Sequence, residues 1–214
     1  MVSRIRYRGW LLVVAALSAT APGWPARAGE APRHRSAAVL SAGGDLVAEI
    51  ELDNDTTRIA TRPDGELLTG DLRDGKKRVY RARGALVAEV KLKVDGAAAD
   101  GAGFKLRTPA GKLLWKVKIA DAKIKISSDE EGAHPWVISL KHGDKLEVTD
   151  GAGRDAGLVR ADAKGAVRVA DAAGHVRFTA KVGWPSALFG VLLIDGIAPQ
   201  EAWILMAEIL ASGY

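Results

Sequence analysis

The sequence predicts a mainly β fold: about twelve antiparallel strands in a meander, closed into a β-barrel that surrounds, or is capped by, an apolar C-terminal helical segment. Three observations predict it. From Ala37 to Val182 apolar residues alternate with polar ones, and Gly and Asp recur at short intervals; alternation of that period marks strands with one buried face. A hairpin-like unit then repeats four times. The stretch from Trp184 to Tyr214 is apolar on nearly every side and has neither lysine nor arginine, so it needs protein or lipid around it.

Taken in order, the chain of 214 residues opens with Arg4, Arg6 and Arg8, an apolar run from Trp10 to Leu17, and Ala26-Arg27-Ala28. This is the pattern of a secretory signal peptide over residues 1–28, with cleavage expected before Gly29. The apolar run is well short of the roughly 20 residues of a membrane-spanning helix. Removing residues 1–28 takes away four arginines and no acid, so the formal charge falls from +5 to +1. The basic balance of the whole chain therefore overstates that of the exported protein. No cysteine is present, so neither disulfides nor a lipobox are available, and stability has to come from one core. Residues 29–36 read as a flexible lead-in carrying a solvated His34, and residues 37–214 as a single domain.

Candidate strands in the first half are Leu46 to Leu52, Thr57 to Thr61, Leu67 to Leu72, Arg78 to Ala82 and Leu86 to Val94. The second half repeats. Phe104-Lys105-Leu106-Arg107-Thr108 runs to Gly111, Ile124-Lys125-Ile126-Ser127-Ser128 to Gly132, Leu146-Glu147-Val148-Thr149-Asp150 to Gly153, and Val167-Arg168-Val169-Ala170-Asp171 to Gly174. The starts are 20, 22 and 21 residues apart, and the second unit has one extra residue before its glycine. Each unit reads as a β-hairpin whose turn is made by a short polar residue and Gly. A sheet of this many strands curls or closes. The same period suits a β-solenoid, but a solenoid offers the C-terminal segment no cavity.

In that segment Pro185 suits a first helical turn, Ser186 to Ile194 is continuously apolar, Asp195-Gly196 interrupts, and Pro199 starts a second helical run to Leu210. Asp195, Pro199, Glu201 and Glu208 fit a membrane span poorly. Meandering hairpins starting at residues 104, 124, 146 and 167, followed by Ala187-Leu188-Phe189-Gly190-Val191-Leu192-Leu193-Ile194, resemble the tubby-like superfamily, which includes the LURP-one-related proteins and the phospholipid scramblases. The resemblance covers roughly residues 40 to 212. It implies a closed barrel threaded by a hydrophobic helix, with a membrane-lipid or interaction role. Two departures stand beside it: the export signal, and the break from Asp195 to Pro199, which leaves one half to thread the barrel and the other to cap its mouth.

Charge distribution carries the functional expectation. Residues 72 to 125 hold fifteen Lys and Arg against five Asp and Glu. Lys91 and Lys93, Lys105 and Arg107, Lys116 and Lys118, and Lys123 and Lys125 occupy alternate strand positions, which places them together on the outer wall. Such a basic face attracts anionic phospholipid headgroups or lipopolysaccharide phosphates; the plainer alternative is a face that only keeps the barrel soluble. Nucleic acid is disfavoured by export and by the lack of aromatic residues for stacking, Trp115 aside.

Chemistry-bearing motifs are sparse. His134, His142 and His175 lie at turns without metal-ligand spacing, His142 with Asp144 and Asp150 makes no known triad, and Asp129-Glu130-Glu131 lacks the order of a calcium loop. Trp115, Trp136, Trp184 and Trp203 read as core or barrel-rim residues. Glu201 and Glu208 fall on one side of the second helix and would be solvated on a cap or buried in a plug. The expected protein is thus non-enzymatic, without cofactor or metal, exported to the periplasm or beyond, and binds an anionic lipid or envelope surface. The alternatives are a structural or protein-interaction module of the envelope, or a carrier of a small apolar ligand.

Overall fold

The computed structural model describes residues 34–63, 65–93, 102–120, 122–141, 145–162, 166–181 and 186–212. The signal-peptide reading of residues 1–28 and the readings of Trp184, Pro185, His142 and Asp144 lie outside them. Fourteen strands form one closed antiparallel barrel, each paired with its neighbour in sequence and the first with the last. They are β1 (His34–Ser41), β2 (Leu46–Asp53), β3 (Thr56–Thr61), β4 (Leu67–Arg73), β5 (Lys77–Ala82), β6 (Ala85–Leu92) and β7 (Ala102–Arg107), then β8 (Leu113–Ala120), β9 (Lys123–Ser127), β10 (Trp136–Leu140), β11 (Lys145–Thr149), β12 (Asp155–Ala161), β13 (Ala166–Asp171) and β14 (Val176–Lys181). The repeat supplies β7 to β14 as four hairpins.

The first half has six strands, one more than the candidates named from the sequence, and β1 is the addition. It begins at His34, so the last three residues of the expected lead-in belong to the barrel. Pairing with β2 from His34 to Leu40 makes this polar stretch a strand, and the Arg35 guanidinium ties it to the far end of the chain by donating to the Leu210 carbonyl at 2.7 Å.

Alternation sorts the side chains as expected. Ile50, Ile59, Leu68, Val90, Leu106, Val117, Ile124, Ile138, Val148, Val159 and Val169 are buried, while Glu49, Arg58, Lys118, Lys125 and Arg168 stand outside. This is the reverse of a membrane-spanning barrel, whose outward band is apolar. No described helix is long and apolar enough to cross a membrane.

Four of the hairpin turns share one design. In the last two repeats Asp150 and Asp171 each accept hydrogen bonds on one carboxylate oxygen from the N–H groups two and four residues on, at 2.9 to 3.1 Å. Gly153 (φ 78°) and Gly174 (φ 84°) donate back to the Asp carbonyls in the left-handed conformation that glycine tolerates best. Ser41 and Thr108 play the same part with hydroxyls, ahead of Gly44 and Gly111.

Closing fourteen strands about 4.8 Å apart at the usual tilt gives a backbone ring roughly 28 Å across, too wide for strand side chains alone to fill. The C-terminal segment fills it. A 3₁₀ segment, Ser186–Leu193, packs against β10 to β13, and helix α1 (Pro199–Ala211) packs against β2, β3 and the 3₁₀ segment. The break falls at Asp195-Gly196, with Gly196 at φ 79°, and Pro199 occupies the first turn of α1. Both halves lie inside: Ala187 to Val191 and every residue from Ala202 to Leu210 are buried. The division into one threading half and one capping half is therefore corrected. The apolar character of both halves explains why neither stays at the rim.

Candidate functional site

Polar residues appear in two places worth building up: inside the barrel, where they hold the plug, and on its outer wall, where the basic side chains gather.

Inside, α1 is pinned three times. Near its start Trp115 Nε1 on β8 donates to Glu201 Oε2 at 2.6 Å. In its second half Glu208, fully buried, accepts from Arg78 Nη1 at 2.9 Å and from the Tyr80 hydroxyl at 2.6 Å. At its end Arg35 caps the Leu210 carbonyl, where a cation also favours the helix dipole. Arg78 and Tyr80 sit two apart on β5 and so face inward together. Gly70 on β4 makes room, since a Cβ there would come within 2.9 Å of the Tyr80 ring. Burial would depress the Arg78 guanidinium, but the Glu208 carboxylate and Tyr80 outweigh it and the net direction is upward. Burial, reinforced by Glu208, pushes the Tyr80 phenol well up, so it stays a donor. Arg78 Nε and Glu208 Oε2 have no hydrogen-bond partner among the described residues. A buried ion pair with unmet valences is a poor source of stability and a good fixer of register. The cluster latches α1 to β5, and the buried option for Glu208 is the one realised.

Outside, strand register assembles the basic positions into rows. Lys77, Lys91, Lys105 and Lys116 are successive cross-strand partners on β5, β6, β7 and β8. In the adjoining row Lys93 leads to Gly103, then Lys118, then Lys125. Gly103 breaks that row because a Cβ would stand 2.7 Å from the Val117 carbonyl oxygen. With little side chain at Ala102 and Gly103, the wall dips into a groove of about 820 Å³. Lys91, Lys93, Lys105, Arg107, Lys116 and Lys118 line it, so six of the eight basic positions singled out in the sequence meet in one place. Lys125 is beside Lys118 in register but outside the groove, and Lys123 lies farther along, opposite Ala120. Lys76 joins the lining from the β4–β5 turn, a position that strand alternation gives no means of finding.

Three of these cations meet one acid. Lys105 Nζ and Arg107 Nη2 both contact the Glu130 carboxylate, Lys105 at 2.5 Å, and Lys116 Nζ donates to the Glu130 carbonyl. The hydrogen bonds from Lys105 and Arg107 hold the Glu130 carboxyl below the usual carboxylate range. Lys77 pairs with Glu89 at 2.7 Å. Among the described residues Lys91, Lys118, Lys123 and Lys125 form no ion pair, and Lys91 and Lys118 of these line the groove.

The remaining candidates disperse. His134 is exposed in the β9–β10 loop and His175 is exposed beside Asp171 in the β13–β14 turn. Trp115 and Trp203 are buried in the core, and Trp136 is half-buried against it. The chain matches no family model, no curated protein and no solved structure.

Proposed function

We propose that this protein is an exported, non-enzymatic barrel that binds a phosphate-bearing anionic surface, phospholipid headgroups or lipopolysaccharide phosphates, through the groove lined by Lys91, Lys93, Lys105, Arg107, Lys116 and Lys118. One observation carries the reading. Lys77, Lys91, Lys105 and Lys116 stand directly opposite one another across four strands, an arrangement that costs stability when like charges face each other. Keeping the barrel soluble asks only for scattered charges of mixed sign. Glu89 and Glu130 offset part of that cost at Lys77 and Lys105, but Lys91, Lys105 and Lys116 still gather along one depression, which serves an external anion better. Near an anionic membrane each cation contributes about 1 kcal/mol, screened by salt.

The architecture supports the same reading in two further ways. A closed barrel threaded by an apolar C-terminal segment is what the tubby-like resemblance implies, and with it a membrane-lipid or interaction role. A carrier of small apolar ligands would keep its lumen open, whereas Leu188, Phe189, Leu205, Met206 and Ile209 are packed into this one. The test is co-sedimentation with neutral and anionic vesicles at low and high salt, using the parent protein and the charge-reversed pair Lys116→Glu, Lys118→Glu. Binding to anionic vesicles alone, weakened by salt and lost on reversal, is the expected result. A partner protein retained equally by both forms would favour the envelope interaction module.

A further inference from the structure

The second repeat is the one with an extra residue, and its loop departs from the shared turn. In the other three units the residue ahead of the turn accepts the N–H four residues on and the strand resumes at once. Between β9 and β10 the chain instead makes an eight-residue excursion, 128–135, over the basic wall. Its shape is set without the Glu130 side chain. Asp129 Oδ1 accepts the N–H groups of Gly132 and Ala133, the latter at 2.9 Å. At the far end a Cβ on Gly151 would stand 2.2 Å from the His134 carbonyl oxygen, so the β11–β12 turn holds the loop from below. The Glu130 side chain is left to do one thing, reach back to Lys105 and Arg107, while Lys116 holds its carbonyl.

We infer that Glu130 is a built-in stand-in for the ligand, occupying an anion subsite formed by Lys105, Arg107 and Lys116 until a headgroup phosphate displaces it. The inference rests on the function proposed above. A carboxylate held by one Arg and one Lys marks where a phosphate oxygen would be held, since both anions accept the same charge-assisted hydrogen bonds. Both partners of the contact are partly exposed: side-chain exposures are 37% for Lys105, 27% for Arg107 and 44% for Glu130. Ion pairs of this kind exchange readily with solvent and are weak. A phosphate with more charge, presented among many on a surface, outcompetes one exposed carboxylate. The internal acid keeps the cations spread and oriented meanwhile, and raises the threshold of surface charge at which the protein binds.

The test compares two single changes of equal charge on the full chain. Glu130→Gln removes the competing carboxylate and leaves the Asp129 hydrogen bonds and the Glu130 carbonyl in place. Glu131→Gln removes the same charge one residue on, where no ion pair forms among the described residues. Binding to vesicles of phosphatidylcholine doped with increasing phosphatidylglycerol is measured for both and for the parent. Glu131→Gln reports the general gain from one lost negative charge. Glu130→Gln is expected to bind at least about three-fold tighter than Glu131→Gln and to reach half-saturation at a lower phosphatidylglycerol fraction. Equal binding by the two variants overturns the inference while the proposed function stands. Weaker binding by Glu130→Gln also overturns it, because Glu130 would then be ordering the cations rather than competing for them. No binding by any of the three removes the proposed function and the inference together.

Discussion

Replacing Glu208 with leucine should be among the most damaging single changes in the molecule. Glu208 is fully buried and is the acceptor for both Arg78, 4% exposed, and the Tyr80 hydroxyl. With the acid gone, a guanidinium that cannot lose its proton is left in an apolar lumen, and the phenol loses its acceptor. Breaking a buried pair by removing one partner costs about 3–5 kcal/mol. For a domain of this size that is a fall in Tm of roughly 6–20 °C. The same physics makes the double change Arg78→Met, Glu208→Leu mild, because it removes both desolvated charges and the space is refilled with apolar atoms. The double variant should regain most of the loss, and a gain over the parent is within the range seen for such exchanges. Urea unfolding followed by tryptophan fluorescence reads this directly, since Trp115 and Trp203 are buried in the barrel and the plug. A single-variant cost below about 1 kcal/mol, or a double variant as unstable as the two singles summed, would refute the latch.

Gly190 lies where a Cβ would meet three atoms of Ile138 at 2.8 to 2.9 Å; Gly190→Ala should overpack the plug by about 1–3 kcal/mol, with Ile138→Val recovering part of it in the same urea assay. Acid should destabilise the barrel: carboxyls of Glu147, bonded by Lys145 and Lys141, and of Asp150 and Asp171, bonded by the turn N–H groups of Arg154 and His175, are held below their ordinary values. Depressed folded-state values mean that the unfolded chain binds more protons, so stability is full above the ordinary carboxylate range and is lost as pH falls from there through the lower folded-state values. A thermal melt series from neutral to acid pH should show falling Tm below about pH 4.5, and Asp150→Asn should flatten that fall. Trp115→Phe leaves Glu201 without its indole donor and should cost about 1 kcal/mol, read by urea unfolding with Trp203 as reporter.

Much of this was legible because a half-buried strand writes its faces into alternate residues. The candidate strands from Leu46 to Ala82 agree with β2 to β5 within a residue or two at each end, and the four repeats are the four hairpins. Asp195-Gly196 marked the break in the plug. Four things were hidden. Arg35 looked like part of a loose tail because its partner, the Leu210 carbonyl, is 175 residues away. Arg78 and Tyr80 looked like ordinary strand residues because inward polarity is explained only by Glu208, 130 and 128 residues on. Glu208 did carry a signal, an acid in a helix with no polar face, and it left two outcomes open until the packing was known. The groove needed register: alternation put the cations outside, but only cross-strand pairing decides that Lys91 faces Lys105 and that Gly103 opens the wall. The extra residue of the second repeat was visible, and its consequence, Glu130 folded back on Lys105 and Arg107, was not.

The most direct test of the basic groove as the working surface is vesicle binding by two variants of equal charge. One neutralises Lys91 and Lys118, both groove residues without an ion pair among the described residues. The other neutralises Arg58 and Arg168, exposed on β3 and β13 away from the groove. With roughly 1 kcal/mol per cation, Lys91→Gln, Lys118→Gln should lower affinity for anionic vesicles by about thirty-fold, while Arg58→Gln, Arg168→Gln changes it by a few-fold at most. Equal losses in the two variants would mean that overall charge rather than the groove meets the membrane, and no binding by the parent protein would contradict the account outright.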